Sequence, residues 1–351
     1  MDELKKVLVS HVARYPAMTP QDAVKLIYQN EFGSYHLVCD EKGTLARLTA
    51  EYRGLVHKPE AALREEIGNG LCRVQLTALD ANDIPLDTLN RLVLLGSELI
   101  RGDTQLFRRK LEVLRGMTEE GKAPFSLPEL DAYLDRYLAD GCPAATHSER
   151  YREAYQPAYR LVLCRYVDYW PLFSAIHRLL REKNMVSVAI DGMAAAGKTT
   201  LAALLQELYS CAVVRMDHFF LPGQLRTPER LAQPGGNVHY ERFAAEVAPR
   251  LGRGASFSYK PFDCRTMKYR AAVSVPQRRM TVVEGAYSLH PMLKVSYDLK
   301  VYLTVSEQEQ SARILLRNGP EVSRRFWEEW IPMEHAYSRA FCIPQSCDFV
   351  F

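Results

Sequence analysis

The clearest chemistry in this sequence lies in the eight-residue stretch GMAAAGKT (192–199), which fits the pattern G-x-x-x-x-G-K-[ST]. Its two glycines allow the backbone to turn consecutive N–H groups towards an anion at a helix N-terminus. Lys198 would place a positive charge on the β- and γ-phosphates, and Thr199 would offer its hydroxyl to Mg²⁺. The apolar run before this stretch and the amphipathic run after it are the strand and helix that such a loop requires. The sequence therefore predicts a nucleoside triphosphate site formed by Gly192, Ala194, Ala195, Ala196, Gly197, Lys198, Thr199 and Thr200.

Two acidic residues follow later apolar runs, each where a strand is expected to end. Asp217 comes directly after CAVVRM (211–216), and Glu284 ends the run TVVE (281–284). A doubly wound sheet presents its functional groups in the crevice beyond such strand ends. Asp217 is predicted either to accept the proton of a substrate hydroxyl or to hold Mg²⁺. Glu284 suits the metal and its waters, so the predicted metal ligands are Thr199, Glu284 and Asp217.

The part of the chain that carries these residues alternates between strand and helix patterns. Apolar runs typical of buried parallel strands occupy 185–190, 211–216, 280–285, 299–305 and 347–351. Helical patterns lie near 198–209, 239–251, 306–317 and 323–341, and residues 256–276 suggest an inserted β-hairpin. The fold class predicted is α/β, a doubly wound parallel sheet of five core strands of the phosphate-loop kinase type.

Residues 1–182 are instead predicted to form a mainly α-helical domain that precedes the α/β domain of residues 183–351. One short stretch, GLCRVQL (70–76), suggests a strand, whereas the segment from Ser148 to Lys183 continues the helical rhythm. Polar and aromatic residues cluster in 28–37, 68–76 and 148–160. In the last cluster Tyr151, Tyr155 and Tyr159 recur every four residues, which favours a packing seam. His36 is a candidate contact for a metal or a phosphate, and the domain is expected to complete an acceptor pocket, to mediate homodimerisation or to sense a ligand.

The α/β half resembles the uridine kinase, phosphoribulokinase and pantothenate kinase family of phosphate-loop kinases. The matching pieces are IDGMAAAGKTT, MDHFF, PGGNVHYERF, YKPFDCRTMKYR, VVEGAY, VYLTVSEQEQSARILLRN and FWEEWIPMEHAY. The resemblance implies ATP and Mg²⁺ as cofactors and transfer of the γ-phosphoryl group to a hydroxyl of a small metabolite, with Asp217 as the catalytic base. It also implies a lid of arginines over the phosphates, beside the catalytic Lys198. Arg313 and Arg317 share one helical face and are the first candidates for the lid, and Arg324 and Arg325 are the alternative.

The segments that would hold a nucleoside depart from the pattern of this family. Uridine kinases carry P-x-Y-D-F-x-x-H-x-R, but here Phe262, Cys264 and Met267 replace the tyrosine, phenylalanine and histidine. The family's N-F-D-H segment likewise becomes NVHY (237–240). A pocket that has lost its hydrogen-bonding groups would not hold the same ligand, so the acceptor is predicted to differ from uridine. The polar residues left to recognise the acceptor are His239, Tyr240, Asp263, Arg265 and Arg270.

Composition limits the remaining alternatives. The 351 residues carry a net charge of only +3, so neither nucleic acid nor a membrane surface is expected as a partner. No apolar run approaches the roughly 20 residues that span a bilayer. Eight scattered cysteines without a C-x-x-C pair fit reduced thiols, which favours a cytoplasmic protein. Two other functions stay open: a nucleotide-dependent switch in which the helical half is the effector, and a kinase that acts on a protein or a nucleic acid. The preference for ATP or GTP also stays open.

Overall fold

A computed structural model describes residues 1–34 and 40–351 of the chain, so His36 lies outside the described residues. The chain divides into two compact units, Met1–Ser174 and Ala175–Phe351. The division falls within one helix, Trp170–Glu182. Among the described residues, no helix is both long enough and apolar enough to cross a membrane.

The N-terminal unit is mainly helical and contains a small antiparallel sheet. Its strands pair in the order β1-β2-β3 and are β1 (Arg64–Gly68), β2 (Leu71–Gln75) and β3 (Tyr159–Leu163). Its helices are α1 (Asp2–Arg14), α2 (Pro20–Phe32), α3 (Glu41–Arg53), α4 (Leu86–Leu99), α5 (Thr104–Glu119), α6 (Leu127–Ala139), α7 (Glu149–Tyr155) and α8 (Cys164–Asp168), followed by the shared α9 (Trp170–Glu182). The strand suggested for residues 70–76 is therefore present as β2.

The helical interpretation of residues 148–183 is wrong in its middle. Helix α7 ends at Tyr155 because Gln156 adopts a left-handed conformation (φ 46°) and Pro157 has no N–H to continue the helix. The chain then enters β3, where Leu161 pairs with Arg73 of β2. Tyr159 thus lies on a strand, and the four-residue spacing of the tyrosines does not describe a single helical face.

The C-terminal unit has the predicted α/β fold. Its five-stranded parallel sheet has the order β12-β11-β4-β10-β5. These core strands are β4 (Val186–Gly192), β5 (Ala212–Arg215), β10 (Met280–Glu284), β11 (Leu299–Leu303) and β12 (Phe349–Val350). The helices are α10 (Lys198–Tyr209), α11 (Pro228–Leu231), α12 (Tyr240–Glu246), α13 (Glu307–Arg325) and α14 (Ile331–Ala340). All five predicted core strands are confirmed.

The burial of the central strands explains why their sequences are mainly apolar. Every residue of β4 and β10 is buried, as expected for central parallel strands covered on both faces. The insertion predicted for 256–276 forms two small antiparallel pairs. They are β6 (Phe257–Tyr259) with β9 (Val273–Val275), and β7 (Phe262–Asp263) with β8 (Lys268–Tyr269).

Candidate active site

The loop between β4 and α10 requires glycine at its first position. Gly192 has φ 142°, and a Cβ on this residue would lie 2.3 Å from the carbonyl oxygen of Leu303 in β11. The N–H of Met193 donates to the same carbonyl at 3.0 Å, so the loop begins against the neighbouring strand. Gly197, with φ 99°, turns the chain into α10 at the other end of the loop. The two predicted glycines therefore set where the loop starts and ends.

The side chain of Lys198 folds back over the 192–197 loop that precedes it. Its Nζ donates to the carbonyl oxygens of Gly192 at 2.7 Å and Met193 at 2.8 Å. These carbonyls hold the ammonium group beside the loop N–H groups, where a phosphate would need it. Thr200, in the same first turn of α10, is exposed.

Thr199 and Glu284 meet at the ends of neighbouring elements. The hydroxyl of Thr199 donates to the two carboxylate oxygens of Glu284 at 3.2 and 3.4 Å. Glu284 is only 4% exposed, and burial raises the pKa of its carboxyl, with the charge of Asp217 adding to the effect. Arg215 Nε, on the next strand, is 3.9 Å from Glu284 Oε1. A buried acid beside a threonine hydroxyl is a set of hard oxygen donors.

This donor set fits Mg²⁺. Magnesium is usually bound by one or two carboxylates together with substrate phosphates and waters, so it does not need a cage of protein ligands. Within the described residues there is no cluster of three or more histidine, cysteine, aspartate or glutamate side chains that could hold a metal. Thr199 and Glu284 would hold the ion, and Asp217 is the remaining candidate ligand.

Asp217 follows β5 in the 3-10 turn Met216–Phe219. Its carboxylate is exposed and, in the part of the chain that the structure describes, has no hydrogen-bond partner. Its negative charge raises the pKa of both Glu284 and Glu334, which places it within electrostatic range of the loop. The side chain is therefore available to a substrate or a metal.

Asp191, for which the sequence analysis predicted no role, connects three segments through hydrogen bonds: the start of the 192–199 loop, the segment after β10, and α14. It is 1% exposed and accepts hydrogen bonds from the N–H groups of Gly192 at 2.7 Å and Leu289 at 3.0 Å. It also accepts one from the hydroxyl of Tyr337 in α14 at 2.8 Å. Burial raises the pKa of Asp191, while the charge of Lys198 and these hydrogen bonds act in the opposite direction. Asp191 positions the loop relative to α14 and to the segment after β10.

A second residue without a predicted role, Glu334, contacts the loop itself. Its Oε2 accepts a hydrogen bond from the N–H of Ala194 at 2.8 Å. Burial raises the pKa of Glu334 to about 7, with the charge of Lys198 opposing the shift and those of Asp191 and Asp217 adding to it. Glu334 and Tyr337 are three residues apart on α14, so one helix face holds both the loop and Asp191. The i, i+3 spacing within PMEHAY is the sequence signal that could have found them.

We expect Glu334→Gln to tighten nucleotide binding about tenfold at pH 8 and to change it little at pH 6. A carboxyl with a pKa of about 7 is mostly ionised at pH 8, where its charge repels a bound triphosphate, and mostly neutral at pH 6. The measurement is the Kd of a fluorescent ATP analogue for both proteins at both pH values. The ratio of the two Kd values cancels the titration of the nucleotide itself.

Glu328→Gln is the matched control, because Glu328 is an exposed acid that only approaches Arg324 at 3.9 Å. It should leave the Kd unchanged at both pH values. A ratio for Glu334→Gln that is the same at pH 6 and pH 8 would contradict the assignment of the repulsion to this carboxylate.

Of the four candidate lid arginines, one contacts the loop. Arg313 NH1 donates to the carbonyl oxygen of Ala195 at 2.9 Å, and Arg313 also pairs with Glu309. Gln310, one turn earlier and buried, donates to the carbonyl oxygen of Ala194 at 2.9 Å. Arg317 instead donates to Asn318 at 2.7 Å and lies over Phe326. The exposed Arg324 and Arg325 pair with Glu328 and Glu329 one turn away.

Three predicted substrate residues lie together in the β7–β8 hairpin. The carboxylate of Asp263 accepts the N–H of Arg265 at 2.9 Å and the Nε of Arg270 at 3.0 Å. These contacts lower the pKa of Asp263 and use its oxygens to hold the hairpin turn. Arg265 and Arg270 are both exposed. Within this hairpin the acid is occupied and the two arginines are accessible.

The other two predicted substrate residues, His239 and Tyr240, lie at the start of α12. Tyr240 is buried, stacks on His290 with ring centroids 5.0 Å apart, and lies beneath the guanidinium of Arg230. His239 is partly buried, and burial lowers its pKa; its Nδ1 is buried and makes no hydrogen bond to the described residues. Tyr240 thus has a packing role, whereas His239 retains a free nitrogen.

Two solved structures align with about half of this chain at low identity. No protein-family model matches the sequence, and no curated protein matches it. Among solved structures, a protein assigned as a possible uridine kinase from Bacillus stearothermophilus aligns with a TM-score of 0.38 and 20% identity. That alignment covers 51% of this chain and 98% of the other. A protein assigned as a fructose transport system kinase from Silicibacter sp. TM1040 aligns with a TM-score of 0.36 and 21% identity, over 51% of this chain and 97% of the other.

Proposed function

We propose that the C-terminal unit is a kinase of the uridine kinase-like type. It would transfer the γ-phosphoryl group of ATP to a hydroxyl of a nucleoside-like or other small molecule, with Mg²⁺ as cofactor. The observation that carries the proposal is the contact of Thr199 with the buried Glu284. Thr199 directly follows Lys198, and both lie at the end of a loop whose first position, Gly192, accepts only glycine. A phosphate site with an oxygen donor pair for Mg²⁺ is the donor half of such a reaction.

The residues divide the work of phosphoryl transfer between them. The loop N–H groups and Lys198 would bind and orient the phosphates, and Arg313 and Gln310 would fix the loop by holding its carbonyls. Asp217 would orient the acceptor hydroxyl and take its proton. Mg²⁺, when bound by Thr199 and Glu284, supplies neutralisation of the charge that develops on the phosphates.

The side of the site beyond Asp217 supports a small acceptor. Strand β7 of the hairpin packs against the 3-10 turn that contains Asp217. Arg226 NH2 is 3.8 Å from the sulfur of Cys264; burial raises the pKa of that thiol, Arg226 opposes the shift, and the charge of Asp217 adds to it. Arg265 and Arg270 are exposed cations of this hairpin, as is Lys268, and we propose the two arginines, with His239, as the residues that recognise the acceptor.

The test is a turnover screen with ATP and Mg²⁺ against nucleosides, pantothenate-like compounds, sugars and their phosphates. Each acceptor is assayed for ADP release and for a shift in melting temperature. We expect one acceptor class to give both. ATP hydrolysis that no acceptor stimulates, together with an ATP-dependent change in self-association, would favour the nucleotide-dependent switch instead. A protein that no nucleotide stabilises would rule out both functions.

A further inference from the structure

Three polar and aromatic segments that the proposed kinase site does not use meet within the N-terminal unit. They are the described part of 28–37, residues 28–34, with 68–76 and 148–160, and each contributes at least one side chain to one buried cluster. Gln29 Oε1 accepts hydrogen bonds from Arg73 Nε at 3.2 Å and NH2 at 2.8 Å. The guanidinium of Arg73 also lies over the ring of Tyr159, 4.5 Å from its centroid. Segments far apart in the sequence therefore converge on one arginine.

Arg73 is 2% exposed and is paired with a buried acid. Its NH1 donates to Glu65 Oε2 at 3.2 Å, and Glu65 Oε1 accepts the hydroxyl of Tyr15 at 2.7 Å. Hydrogen bonds and the charge of Arg73 lower the pKa of Glu65 to about 2 against the effect of its burial. Burying an ion pair costs several kcal/mol per ion before pairing, so such pairs are weak evidence for stability alone. The cost of burying Arg73 and Glu65 is better explained if the two residues also form part of a binding site.

A cavity of about 130 Å³ lies directly against this pair. Arg73 and Glu65 line it, together with Tyr15, Tyr151, Tyr155 and Tyr159. The rings of Tyr15, Tyr151 and Tyr155 contact one another, with centroids 4.8 to 5.4 Å apart, so they form a continuous aromatic wall. An apolar cavity of about 150 Å³ holds benzene, so this one has room for about one six-membered ring.

The rest of the lining offers hydrogen bonds that the protein does not use. The side chains of Lys58, Gln75 and Thr77 line the cavity, and neither they nor the hydroxyl of Tyr151 has a hydrogen-bond partner among residues 1–34 and 40–351. The charged lining residues are two cations, Lys58 and Arg73, and one anion, Glu65. Because Arg73 and Glu65 neutralise each other, the exposed Lys58 is left as the unpaired charge.

We propose that this cavity is a second ligand site, which binds a small molecule built on one six-membered ring that carries an anionic group. The tyrosine wall would pack against the ring face. The free donors of Gln75, Thr77 and Tyr151 would meet its polar edge, and Lys58 would pair with the carboxylate or phosphate. This site is separate from the proposed kinase site and does not depend on that function.

The test is calorimetric titration of the full chain with three classes of probe. Nicotinate and glucose 6-phosphate are anionic rings, nicotinamide and glucose are the neutral counterparts, and acetate and inorganic phosphate are anions without a ring. We expect at least one anionic ring to bind with a Kd in the millimolar range or below. Its neutral counterpart and the ring-free anion should each bind at least about tenfold more weakly, because each lacks one of the two contacts.

Two variants place the binding in the cavity. Lys58→Glu changes an exposed residue and is expected to weaken the anionic ring about tenfold, since an attraction becomes a repulsion. Tyr151→Phe should weaken it several-fold through loss of the free hydroxyl. Lys6→Glu is the matched control, an exposed lysine of the same unit outside the cavity lining, and should leave the Kd unchanged.

The proposal fails if neither anionic ring binds at millimolar concentration, or if a neutral ring binds as tightly as its anionic partner. It also fails if Lys58→Glu leaves the Kd unchanged. Binding that is lost in Lys198→Met but retained in Lys58→Glu would place the probe at the phosphate loop, which would overturn the assignment to the N-terminal unit. Failure of this proposal would leave the proposed kinase function unaffected, because different variants test the two sites.

Discussion

Replacing Lys198 by methionine is expected to lower phosphoryl transfer by about a thousandfold and to weaken nucleotide binding at least tenfold. The ammonium group is held by two loop carbonyls, at 2.7 and 2.8 Å, on the side where the phosphates are expected. Removing one preorganised charge or donor from a site of this kind costs roughly 10²- to 10³-fold in turnover. Methionine keeps the unbranched, flexible stem of the side chain without its ammonium group, so the loss in turnover measures the contribution of that charged group.

The measurement pairs turnover with the melting temperature, since the variant should stay folded. Lys198 is only partly buried, and each of its two hydrogen bonds, donated by a charged group to a carbonyl, contributes roughly 1.5 to 3 kcal/mol at most to stability. Lys183→Met is the matched control. Lys183 precedes β4, at the end of the strand away from the loop, and its exposed pair with Asp298 contributes little. Turnover of Lys198→Met within tenfold of the wild type would remove the loop from the proposed chemistry.

The sequence predicted those parts of the site that depend on local pattern. The core strands were found because they are mostly apolar, as expected for parallel strands; β4 and β10 are buried at every position, whereas the edge strand β12 is partly exposed. The loop was found because a positive φ at Gly192 and Gly197 leaves a signature of glycines at fixed spacing. Glu284 could be selected as a candidate because a strand end is itself a local feature, and its observed contact with Thr199 follows from the order of the strands.

The site residues that could not be predicted from the sequence make contacts with residues far away along the chain. Asp191 meets Tyr337 and Ala194 meets Glu334, at separations of 146 and 140 residues. The i, i+3 spacing of Glu334 and Tyr337 places both on one helix face, but nothing within that segment identifies the residues that they contact. Strand β3 was missed for a different reason, since tyrosines at a helical spacing outweighed the single Pro157 that ends the helix. The residues predicted to recognise an acceptor were the hardest to assign, because Asp263 holds a hairpin turn while its neighbours Arg265 and Arg270 are accessible.

The second large effect is expected from Asp217→Asn, which should lower phosphoryl transfer about 10²- to 10⁴-fold while the Kd for nucleotide stays within threefold. Asparagine has the shape of aspartate but cannot take a proton. The carboxylate of Asp217 is exposed, and within the described residues it makes no hydrogen bond, so its replacement should not disturb the fold. Asp348→Asn is the matched control, an exposed aspartate before the edge strand β12, where an amide oxygen can still accept the N–H of Lys300.

The dependence on Mg²⁺ then separates the two roles that remain open for Asp217. If Asp217 is the base, turnover of the variant stays low at every Mg²⁺ concentration, and the concentration for half-maximal activity is that of the wild type. If Asp217 is a metal ligand, the half-maximal Mg²⁺ concentration rises and saturating Mg²⁺ restores much of the turnover, because the buried Glu284 and Thr199 still supply two oxygens. Full turnover at ordinary Mg²⁺ would exclude both roles and leave Glu284 as the remaining predicted acidic ligand of the metal.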